Sequence, residues 1–238
     1  MDIQYIVPAL ITYIVGYILI KYPMSISVPT ERGMHKNNII SSGGIAILVG
    51  IISFTVLAGL DDYYKHNHSL LDNNEIICIS AFMLVTIIGY FDDTRSLSKK
   101  FRFGAQVFIS YLVLQTTSIF DPFLILAAIL LIVYTINIYN FMDGIDQLAI
   151  SQAIFFAASS GLIFWWENFM FSLIFLSFFL INYKKTKIFL GNSGSYLLGL
   201  YVAVAIISGH GETIHEERAL VSMFILMTIF YVEATYTI

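Results

Sequence analysis

Two carboxylates stand three residues apart, at Asp143 and Asp146, in a short polar stretch between two long apolar runs. The runs cover residues 123–136 and 148–164. Ionisable groups at the edge of an apolar span are costly and tend to mark function. A spacing of three puts both carboxylates on one face of a helical turn, where they could bind a divalent cation or a phosphate-linked ligand. The alternative is a polar interfacial loop that merely ends two helices.

A second pair, Asp92 and Asp93, directly follows another apolar run. Adjacent carboxylates repel each other, so a divalent cation or nearby basic groups must offset them, or one of them could serve as a base. The alternative is a solvated charge cluster beside a helix. Four basic residues follow the pair: Arg95, Lys99, Lys100 and Arg102.

Two further stretches could meet a phosphate. Arg32 and His35 are three residues apart and could both reach one phosphate group, although a basic loop explains them equally well. Gly191 to Gly194 precede an apolar run, so backbone N–H groups at the start of that helix could face an anion. Taken alone, this last stretch is better explained as a simple Gly/Ser helix cap after a basic loop.

The composition indicates an integral membrane protein, because 58% of the residues are hydrophobic and only 12% are charged, whereas a soluble domain is about one quarter charged. The single cysteine, Cys78, excludes a disulfide framework. We predict one all-α domain over residues 1–238, a polytopic bundle of about nine transmembrane helices. The candidate spans are roughly 3–20, 43–60, 75–91, 103–119, 122–139, 148–165, 169–182, 194–208 and 219–236.

Basic residues predict the orientation of these spans. One set of loops holds 10 of the 12 Lys and Arg residues, and the other set is acidic and holds only Lys65 and Arg218. The basic side is therefore expected to be cytoplasmic, with the N-terminus outside and the C-terminus inside. The four polar stretches all fall on this side, where an amphiphile in the membrane could meet a water-soluble phosphate ester. This arrangement favours phosphoryl chemistry on a lipid-borne acceptor.

Three motifs carry a resemblance to a known family: Gly-Tyr-Phe-Asp-Asp, Asn-Phe-Met-Asp-Gly-Ile-Asp-Gln-Leu-Ala and Lys-Ile-Phe-Leu-Gly-Asn-Ser-Gly-Ser. In this order and spacing they resemble the polyprenyl-phosphate N-acetylhexosamine-1-phosphate transferases, a family that includes the peptidoglycan translocase. The segment Val232-Glu-Ala-Thr-Tyr-Thr237 is similar to one of the O-antigen-initiating branch.

The resemblance implies a multi-pass enzyme of the bacterial inner membrane whose active site faces the cytoplasm. It implies transfer of sugar-1-phosphate from a UDP-N-acetylhexosamine to undecaprenyl phosphate with release of UMP, and a requirement for Mg²⁺ or Mn²⁺. The implied partners are these two substrates and membrane lipid, with no nucleic acid. A homodimer is one arrangement that the sequence leaves open.

The family's functional residues carry over by position. Asp92 and Asp93 match its paired aspartates, which are associated with acceptor deprotonation or metal organisation. Asn140, Asp143 and Asp146 match the motif that lines the nucleotide and metal site. We therefore expect Asp92, Asp93 and Asp143 as catalytic residues, and Asp92, Asp93, Asp143 and Asn192 as metal ligands. The expected substrate-binding residues are Arg32, His35, Asn140, Asp146, Asn182, Lys187, Gly191 and Ser193.

Two departures from the family pattern matter. Asn192 stands where the family has an aspartate that ligates the metal, and an amide oxygen lacks the charge that a hard cation favours. Family members also continue beyond the point corresponding to Ile238, through a His-rich loop and further spans, so we expect this domain to lack them. The alternatives are a truncated, weakly active or inactive relative that serves as a binding or assembly partner, and a transporter. Clustering of the polar residues at one face argues against the transporter.

Overall fold

The computed structural model describes residues 3–24, 26–27, 39–117, 119–143, 147–163, 166–183, 188–208 and 214–237. Within these ranges the chain forms nine α-helices and two short β-strands. The helices are α1 (Ile3–Lys21), α2 (Gly43–His66), α3 (Asn73–Arg95), α4 (Lys99–Leu114), α5 (Pro122–Met142), α6 (Leu148–Ile163), α7 (Trp166–Tyr183), α8 (Gly191–Ser208) and α9 (Ile214–Thr237). The strands are β1 (Ile26–Ser27) and β2 (Ile39–Ile40).

The helical prediction is confirmed, because each of the nine apolar runs corresponds to one helix. Four helices, α2, α3, α5 and α8, are long and apolar enough to cross a membrane. Shorter apolar helices cover Ile6–Lys21, Leu148–Ile163 and Glu167–Tyr183. The number of nine spans and their orientation stay predictions.

Local capping explains where several helices begin. Asp72 accepts a hydrogen bond from the backbone of Glu75, whose side chain accepts one from the Asp72 N–H, so a capping box starts α3. Ser98 caps α4 through the Phe101 N–H. The predicted span at 103–119 therefore begins earlier, at Lys99, because the cap starts the helix within the basic segment. This earlier start puts Arg102 on a helix.

Helix α8 is the centre of the bundle. Fourteen of its residues are buried, and it packs against α2, α3, α5, α6 and α9. A helix that is apolar on all sides can be stable only when neighbours surround it. The apolar sequence of α8 therefore requires a central position in the bundle. The ends of α2 and α3 meet the first turn of α8.

Glycines allow three helices to approach closely at this end of the bundle. A Cβ atom on Gly44 of α2 would lie 2.3 Å from the backbone nitrogen of Gly194. A Cβ atom on Gly89 of α3 would lie 2.4 Å from the carbonyl oxygen of Asn192. Backbone therefore contacts backbone where α2 and α3 meet the start of α8, and larger residues would force these helices apart.

A small β-structure holds the segment before α8 in place. Strands β1 and β2 pair antiparallel, and Ile40 forms a parallel bridge with Ile188. The Phe189 N–H donates to the Ile40 carbonyl at 2.7 Å, and the Gly43 N–H donates to the Phe189 carbonyl at 3.0 Å. The sequence analysis predicted no strands. The two strands have two residues each, too short for an alternating pattern to be visible.

Candidate active site

Asp92, near the end of α3, is buried and accepts four hydrogen bonds. Its Oδ2 atom accepts from Tyr196 Oη at 2.7 Å, from Arg102 Nη1 at 2.8 Å and from Asn192 Nδ2 at 3.1 Å. Its Oδ1 atom accepts from the backbone N–H of Leu97 at 3.0 Å. The Arg102 guanidinium balances the charge of this carboxylate, and the hydrogen bond to Asp92 raises the pKa of Arg102. Asp92 is therefore an anchor between α3, α4 and α8.

A tight turn between α3 and α4 makes this contact geometrically possible. Ser96 ends α3 in the left-handed region, at φ 49°, and its N–H donates to the Asp92 carbonyl at 3.1 Å. The turn brings the Leu97 N–H to the Asp92 side chain and starts α4 within a few residues. Arg102, on the second turn of α4, then reaches back to the carboxylate.

Asp93 faces the start of α8 instead. Its Oδ1 atom accepts from the backbone N–H of Asn192 at 3.1 Å, and its Oδ2 atom accepts from that of Ser193 at 3.4 Å. The first N–H groups of a helix have no partners within the helix and carry partial positive charge. Asp93 is half-buried. The Asp93 carboxylate therefore caps the N-terminus of α8.

Gly191 is required at this junction. It has φ +67°, and a Cβ atom there would lie 2.2 Å from the Ser41 carbonyl oxygen and 2.8 Å from Asp93 Oδ2. Any side chain would strain the backbone and displace the carboxylate. The predicted role of Gly191 in substrate binding is untested, but the structure gives this residue a defined part in positioning Asp93.

The amide of Asn192 joins the two halves of the site. Its backbone N–H donates to Asp93 and its side-chain Nδ2 donates to Asp92. An aspartate at this position would place a third carboxylate against Asp92, and two carboxylates at this distance repel each other. The asparagine therefore replaces electrostatic repulsion with a hydrogen bond.

Helix α5 reaches the same end of the bundle. Asn140 Oδ1 accepts a hydrogen bond from Ser195 Oγ at 3.1 Å, and Ser195 Oγ also lies 3.4 Å from the Asn192 carbonyl oxygen. Asp143 ends α5 one turn after Asn140 and is half-buried, with its N–H donating to the Tyr139 carbonyl at 3.0 Å. The structure thus brings Asn140 to the start of α8 and puts Asp143 at the same end.

Two other predicted substrate-binding residues make structural contacts. Asn182 Nδ2 donates to the Ile188 carbonyl at 3.2 Å, which fastens the segment before α8. Ser193 is fully buried, and its Oγ lies 3.4 Å from the carbonyl oxygens of Ser41 and Leu190. Their predicted roles remain predictions. Four more predicted residues lie outside the described ranges: Arg32, His35, Asp146 and Lys187.

The sequence analysis missed two residues of this network. Arg102 was visible only as one member of a basic run, and Tyr196 gave no signal because tyrosine is common in apolar helices. The spacing of ten residues between Asp92 and Arg102 corresponds to no single-helix contact, so only the turn at Ser96 explains the pairing.

The predicted metal ligands differ in how well each could bind a divalent cation. Among the described residues, no three His, Cys, Asp or Glu side chains converge on one point. Asp92 accepts four hydrogen bonds, three of them on Oδ2, so a cation at Oδ2 would have to displace one of the side chains Arg102, Asn192 and Tyr196. Asp93 accepts one N–H on each oxygen, and a carboxylate offers about four lone-pair positions, so it retains capacity for a cation. The donor set that fits Mg²⁺ best is Asp93 with the amide oxygen of Asn192, both being hard oxygen ligands.

Comparison with known proteins identifies the family of this chain. The family model described as glycosyl transferase family 4 matches residues 76–210, which is more than half of the chain and includes Asp92, Asp93, Asn140, Asp143 and Asn192. The chain is 27% identical to the Bacillus subtilis (strain 168) protein named "Probable undecaprenyl-phosphate N-acetylglucosaminyl 1-phosphate transferase", over 84% of this chain and 59% of that protein. It is 24% identical to the decaprenyl-phosphate N-acetylglucosaminephosphotransferase of Mycobacterium leprae (strain TN), over 93% of this chain and 64% of that protein.

A third relative, the undecaprenyl-phosphate alpha-N-acetylglucosaminyl 1-phosphate transferase of Escherichia coli (strain K12), is 26% identical over 73% of this chain and 52% of its own length. The chain thus spans between about half and two thirds of the length of these relatives. The resemblance inferred from the three motifs is confirmed, and the chain belongs to glycosyl transferase family 4.

Proposed function

We propose that this protein transfers N-acetylhexosamine-1-phosphate from a UDP-sugar to undecaprenyl phosphate, releases UMP and so initiates a lipid-linked cell-envelope glycan. One observation supports this proposal above all others. A half-buried carboxylate, Asp93, is held against the first turn of α8 within a network that joins α3, α4, α5 and α8. The relatives' names describe the same type of transfer to a polyprenyl phosphate.

The reaction is a phosphoryl-group displacement. An oxygen of the acceptor phosphate forms a bond to the phosphorus that bears the sugar. The bond between that phosphorus and the bridging oxygen breaks, and UMP leaves with this oxygen and its electron pair. Such reactions depend on positioning and on charge stabilisation more than on covalent chemistry by the protein. Mg²⁺ or Mn²⁺, when bound, would supply neutralisation of the diphosphate charge.

We assign the other roles in the reaction to residues of this chain. Asp93 has the carboxylate with spare acceptor capacity, so it would hold the cation together with the amide oxygen of Asn192, or accept a proton from the acceptor phosphate. Asp92 positions α3, α4 and α8 through its four hydrogen bonds. Asn140, Asp143 and Asp146 would contact the nucleotide side. Arg32, His35 and Lys187 would contact phosphate groups.

The cellular setting follows from the same resemblance. The enzyme would be a multi-pass protein of the bacterial inner membrane, with its active site facing the cytoplasm, where UDP-sugars are available. The segment near Val232 favours the O-antigen-initiating branch, and hence lipopolysaccharide biosynthesis.

A direct assay tests this function. Purified protein with undecaprenyl phosphate, Mg²⁺ and UDP-N-acetylglucosamine or a related UDP-sugar is expected to release UMP. Asp93→Asn and Asp143→Asn are expected to abolish the release while the protein still folds and inserts. Ser80→Ala, an exposed substitution on α3 away from the site, is the control and is expected to retain activity. Wild-type rates in both aspartate variants would remove the proposed site.

The second candidate is a weakly active or inactive relative that serves as a binding or assembly partner. Asn192 favours it, because an amide replaces a charged metal ligand of the family. Absence of turnover with every UDP-sugar tested, from protein that is folded and membrane-inserted, would establish this candidate in place of the enzyme.

A further inference from the structure

A cavity opens at the end of the bundle opposite to the Asp92 network, between α2, α3, α7 and α8. Its volume is about 520 Å³, within the range of about 300 to 1,000 Å³ that small-molecule sites occupy. Glu75 lines its mouth and lies about 25 Å before Asp92 along α3, at 1.5 Å per residue. The cavity is therefore separate from the candidate active site.

Three carboxylates stand at the mouth of this cavity: Asp72, Glu75 and Glu167. Asp72 and Glu75 form the capping box of α3, in which each accepts a backbone N–H on one oxygen, so their other oxygens remain for a ligand. Glu167 lies in the first turn of α7 and is exposed. Among the described residues, no Lys, Arg or His side chain lines the cavity or pairs with these carboxylates. The mouth therefore carries uncompensated negative charge.

Aromatic rings form the inner wall of the cavity. Phe54 meets Phe171 edge to face with ring centroids 5.2 Å apart, and the Phe171 and Tyr201 centroids are 5.1 Å apart. Phe82 lies two turns after Glu75 on α3, so the cavity extends about 10 Å from the carboxylates to this wall. Aromatic rings bury apolar groups, and their faces attract positive charge. The cavity therefore combines an anionic mouth with an aromatic wall.

Asn168 adds an unmet hydrogen-bond donor that is independent of the carboxylates. Its side chain lines the cavity and is only 9% exposed. Its Oδ1 atom accepts from Tyr201 Oη at 3.3 Å, whereas its Nδ2 atom has no acceptor among the described residues. A buried donor without an acceptor is costly, so a ligand oxygen that pairs with Nδ2 would gain affinity.

These features favour an organic cation over a metal ion or a lipid headgroup. In the part of the chain that the structure describes, no three His, Cys, Asp or Glu side chains converge on one point, and a hard cation needs several such oxygen ligands. A zwitterionic lipid headgroup would bring its phosphate against the same carboxylates, and like charges repel. An amine with an apolar body meets neither difficulty, because the ammonium can stay at the mouth while the body lies against the rings.

We propose that this cavity binds a small organic ammonium ion, with its primary amine at Glu75 and Glu167, its apolar body against the aromatic wall and an oxygen atom at Asn168. This inference goes beyond the proposed function and does not depend on it. In the predicted orientation of the spans, the cavity opens on the outer side of the membrane, so the ligand would reach it from outside the cytoplasm.

The thiol of Cys78 can report on this site, because Cys78 lines the cavity and is the only cysteine of the chain. The full protein in phosphatidylcholine nanodiscs is treated with methanethiosulfonate reagents that carry a trimethylammonium or a sulfonate group, and intact mass follows the modification. Each rate is divided by the rate of the same reagent with a free thiol in solution. We expect the cationic reagent to react at least about tenfold faster by this measure, since an anionic cleft concentrates cations.

Protection of Cys78 tests the class of ligand. Phenylalaninol carries a primary amine, a hydroxyl group and a phenyl ring, and it is expected to slow the reaction of Cys78 with uncharged methyl methanethiosulfonate. N-acetylphenylalaninol and 3-phenyllactate lack the positive charge and should protect at least about tenfold less well. Phenethylamine lacks the hydroxyl group that would pair with Asn168 and should protect about threefold less well.

Variants separate the contribution of the carboxylates. Glu75→Gln and Glu167→Gln are each expected to weaken the protection by phenylalaninol about threefold, and the double variant about tenfold. Glutamine can complete a capping box, so Glu75→Gln keeps the start of α3. Asp121→Asn is the matched control, because it removes an exposed carboxylate at the same end of the bundle that does not line the cavity. Asparagine also caps helices well, so this control should fold and leave the protection unchanged.

Several outcomes would overturn the proposal. These are equal corrected rates for the two charged reagents, equal protection by N-acetylphenylalaninol, and unchanged protection in the folded double variant. Protection by Mg²⁺ as strong as that by phenylalaninol would assign the cavity to a metal ion instead. Protection by phosphatidylethanolamine nanodiscs without added amine would assign it to a lipid headgroup instead. UMP release enters none of these measurements, so failure of the proposed function and failure of this site are distinguishable.

Discussion

Asp92 and Asp93 are neighbours in the chain but occupy different electrostatic environments. Asp92 accepts three side-chain donors, one of them a guanidinium, whereas both bonds to Asp93 come from backbone N–H groups at the start of α8. Adjacent residues on a helix point about 100° apart, so the two carboxylates face different helices. Asp92 therefore accepts four hydrogen bonds from the protein, whereas Asp93 accepts two and keeps capacity to bind a ligand.

Removal of the Arg102 charge tests the role of Asp92 as an anchor. Arg102→Met leaves a buried carboxylate without its cation, and loss of one partner of a buried pair costs about 3 to 5 kcal/mol. The free energy of unfolding in detergent should fall by this amount. Arg95→Met is the control, because Arg95 is exposed and its guanidinium lies over the Phe91 ring at 5.3 Å, so the cost should be below about 1 kcal/mol. The double variant Arg102→Met/Asp92→Asn should recover part of the loss. Equal costs for the two arginine variants would contradict the anchor.

Asn192 offers a second test at the residue scale. Asn192→Asp replaces the hydrogen bond to Asp92 with a contact between two carboxylates at about 3 Å, the present spacing being 3.1 Å. Like charges at this distance require a counter-ion. The variant should melt at a lower temperature than the wild type in EDTA, and Mg²⁺ should raise its melting temperature more than that of the wild type. Its metal dependence or activity should also increase.

Asn182→Asp serves as the comparison for Asn192→Asp. Asn182 donates to a backbone carbonyl and contacts no carboxylate among the described residues, so any destabilisation there should not respond to Mg²⁺. Equal responses of the wild type and Asn192→Asp to Mg²⁺ would place residue 192 outside the cation site.

At the scale of elements, the site depends on how closely α2, α3 and α8 approach. Gly89 faces the backbone of Asn192 and Ser193, and a Cβ atom on Gly89 would lie 2.4 Å and 2.5 Å from atoms of these two residues. No flexible side chain lies there to move aside. The separation of the helices, and with it the hydrogen bonds from the start of α8 to Asp93, therefore depends on the absence of a side chain at position 89.

Gly89→Ala should consequently reduce the free energy of unfolding by about 1 to 3 kcal/mol, through overpacking. Gly104→Ala is the matched control on α4: within the described part of the chain, its added Cβ meets nothing within 4 Å beyond its own stretch of helix, and the residue is exposed. An exposed helical alanine is more favourable than glycine, so this variant should be stabilised by up to about 1 kcal/mol. Denaturation of both variants in the same detergent makes the comparison. A stable Gly89→Ala protein would mean that α3 and α8 are not in close contact.

The sequence predicted elements better than contacts. Apolar runs gave all nine helices because a membrane-sized hydrophobic stretch is a local property of the chain. The pairing of Arg102 with Asp92, and the approach of Tyr196 to the same oxygen, depend on a turn and on a helix 104 residues away, so no local pattern reports them. The motifs did indicate that Asp92, Asp93 and Asn192 belong together, but not that Asn192 donates to both.

At the scale of the whole molecule, the two ends of the bundle differ chemically. One end gathers the Asp92 network and the glycine contacts. The other carries exposed acidic residues, including Asp62, which lies 2.9 Å from His68, and Asp61, which pairs with Lys65 at 2.7 Å. Large apolar side chains such as Ile14 and Leu130 are exposed between these ends, which suits contact with lipid. This polarity agrees with the predicted orientation, in which the basic end faces the cytoplasm.

Accessibility of single cysteines tests that orientation. Cys78 is the only cysteine, so Cys78→Ala provides a background without thiols, and His68→Cys and Lys100→Cys then mark opposite ends at exposed positions. In right-side-out membrane vesicles, a membrane-impermeant maleimide should label His68→Cys and not Lys100→Cys, and inverted vesicles should give the reverse. The Cys78→Ala parent should stay unlabelled in both. Labelling of Lys100→Cys from the outside would put the basic loops and the Asp92–Asp93 site on the outer side of the membrane. UDP-sugars are absent on that side, so the proposed reaction could not occur there.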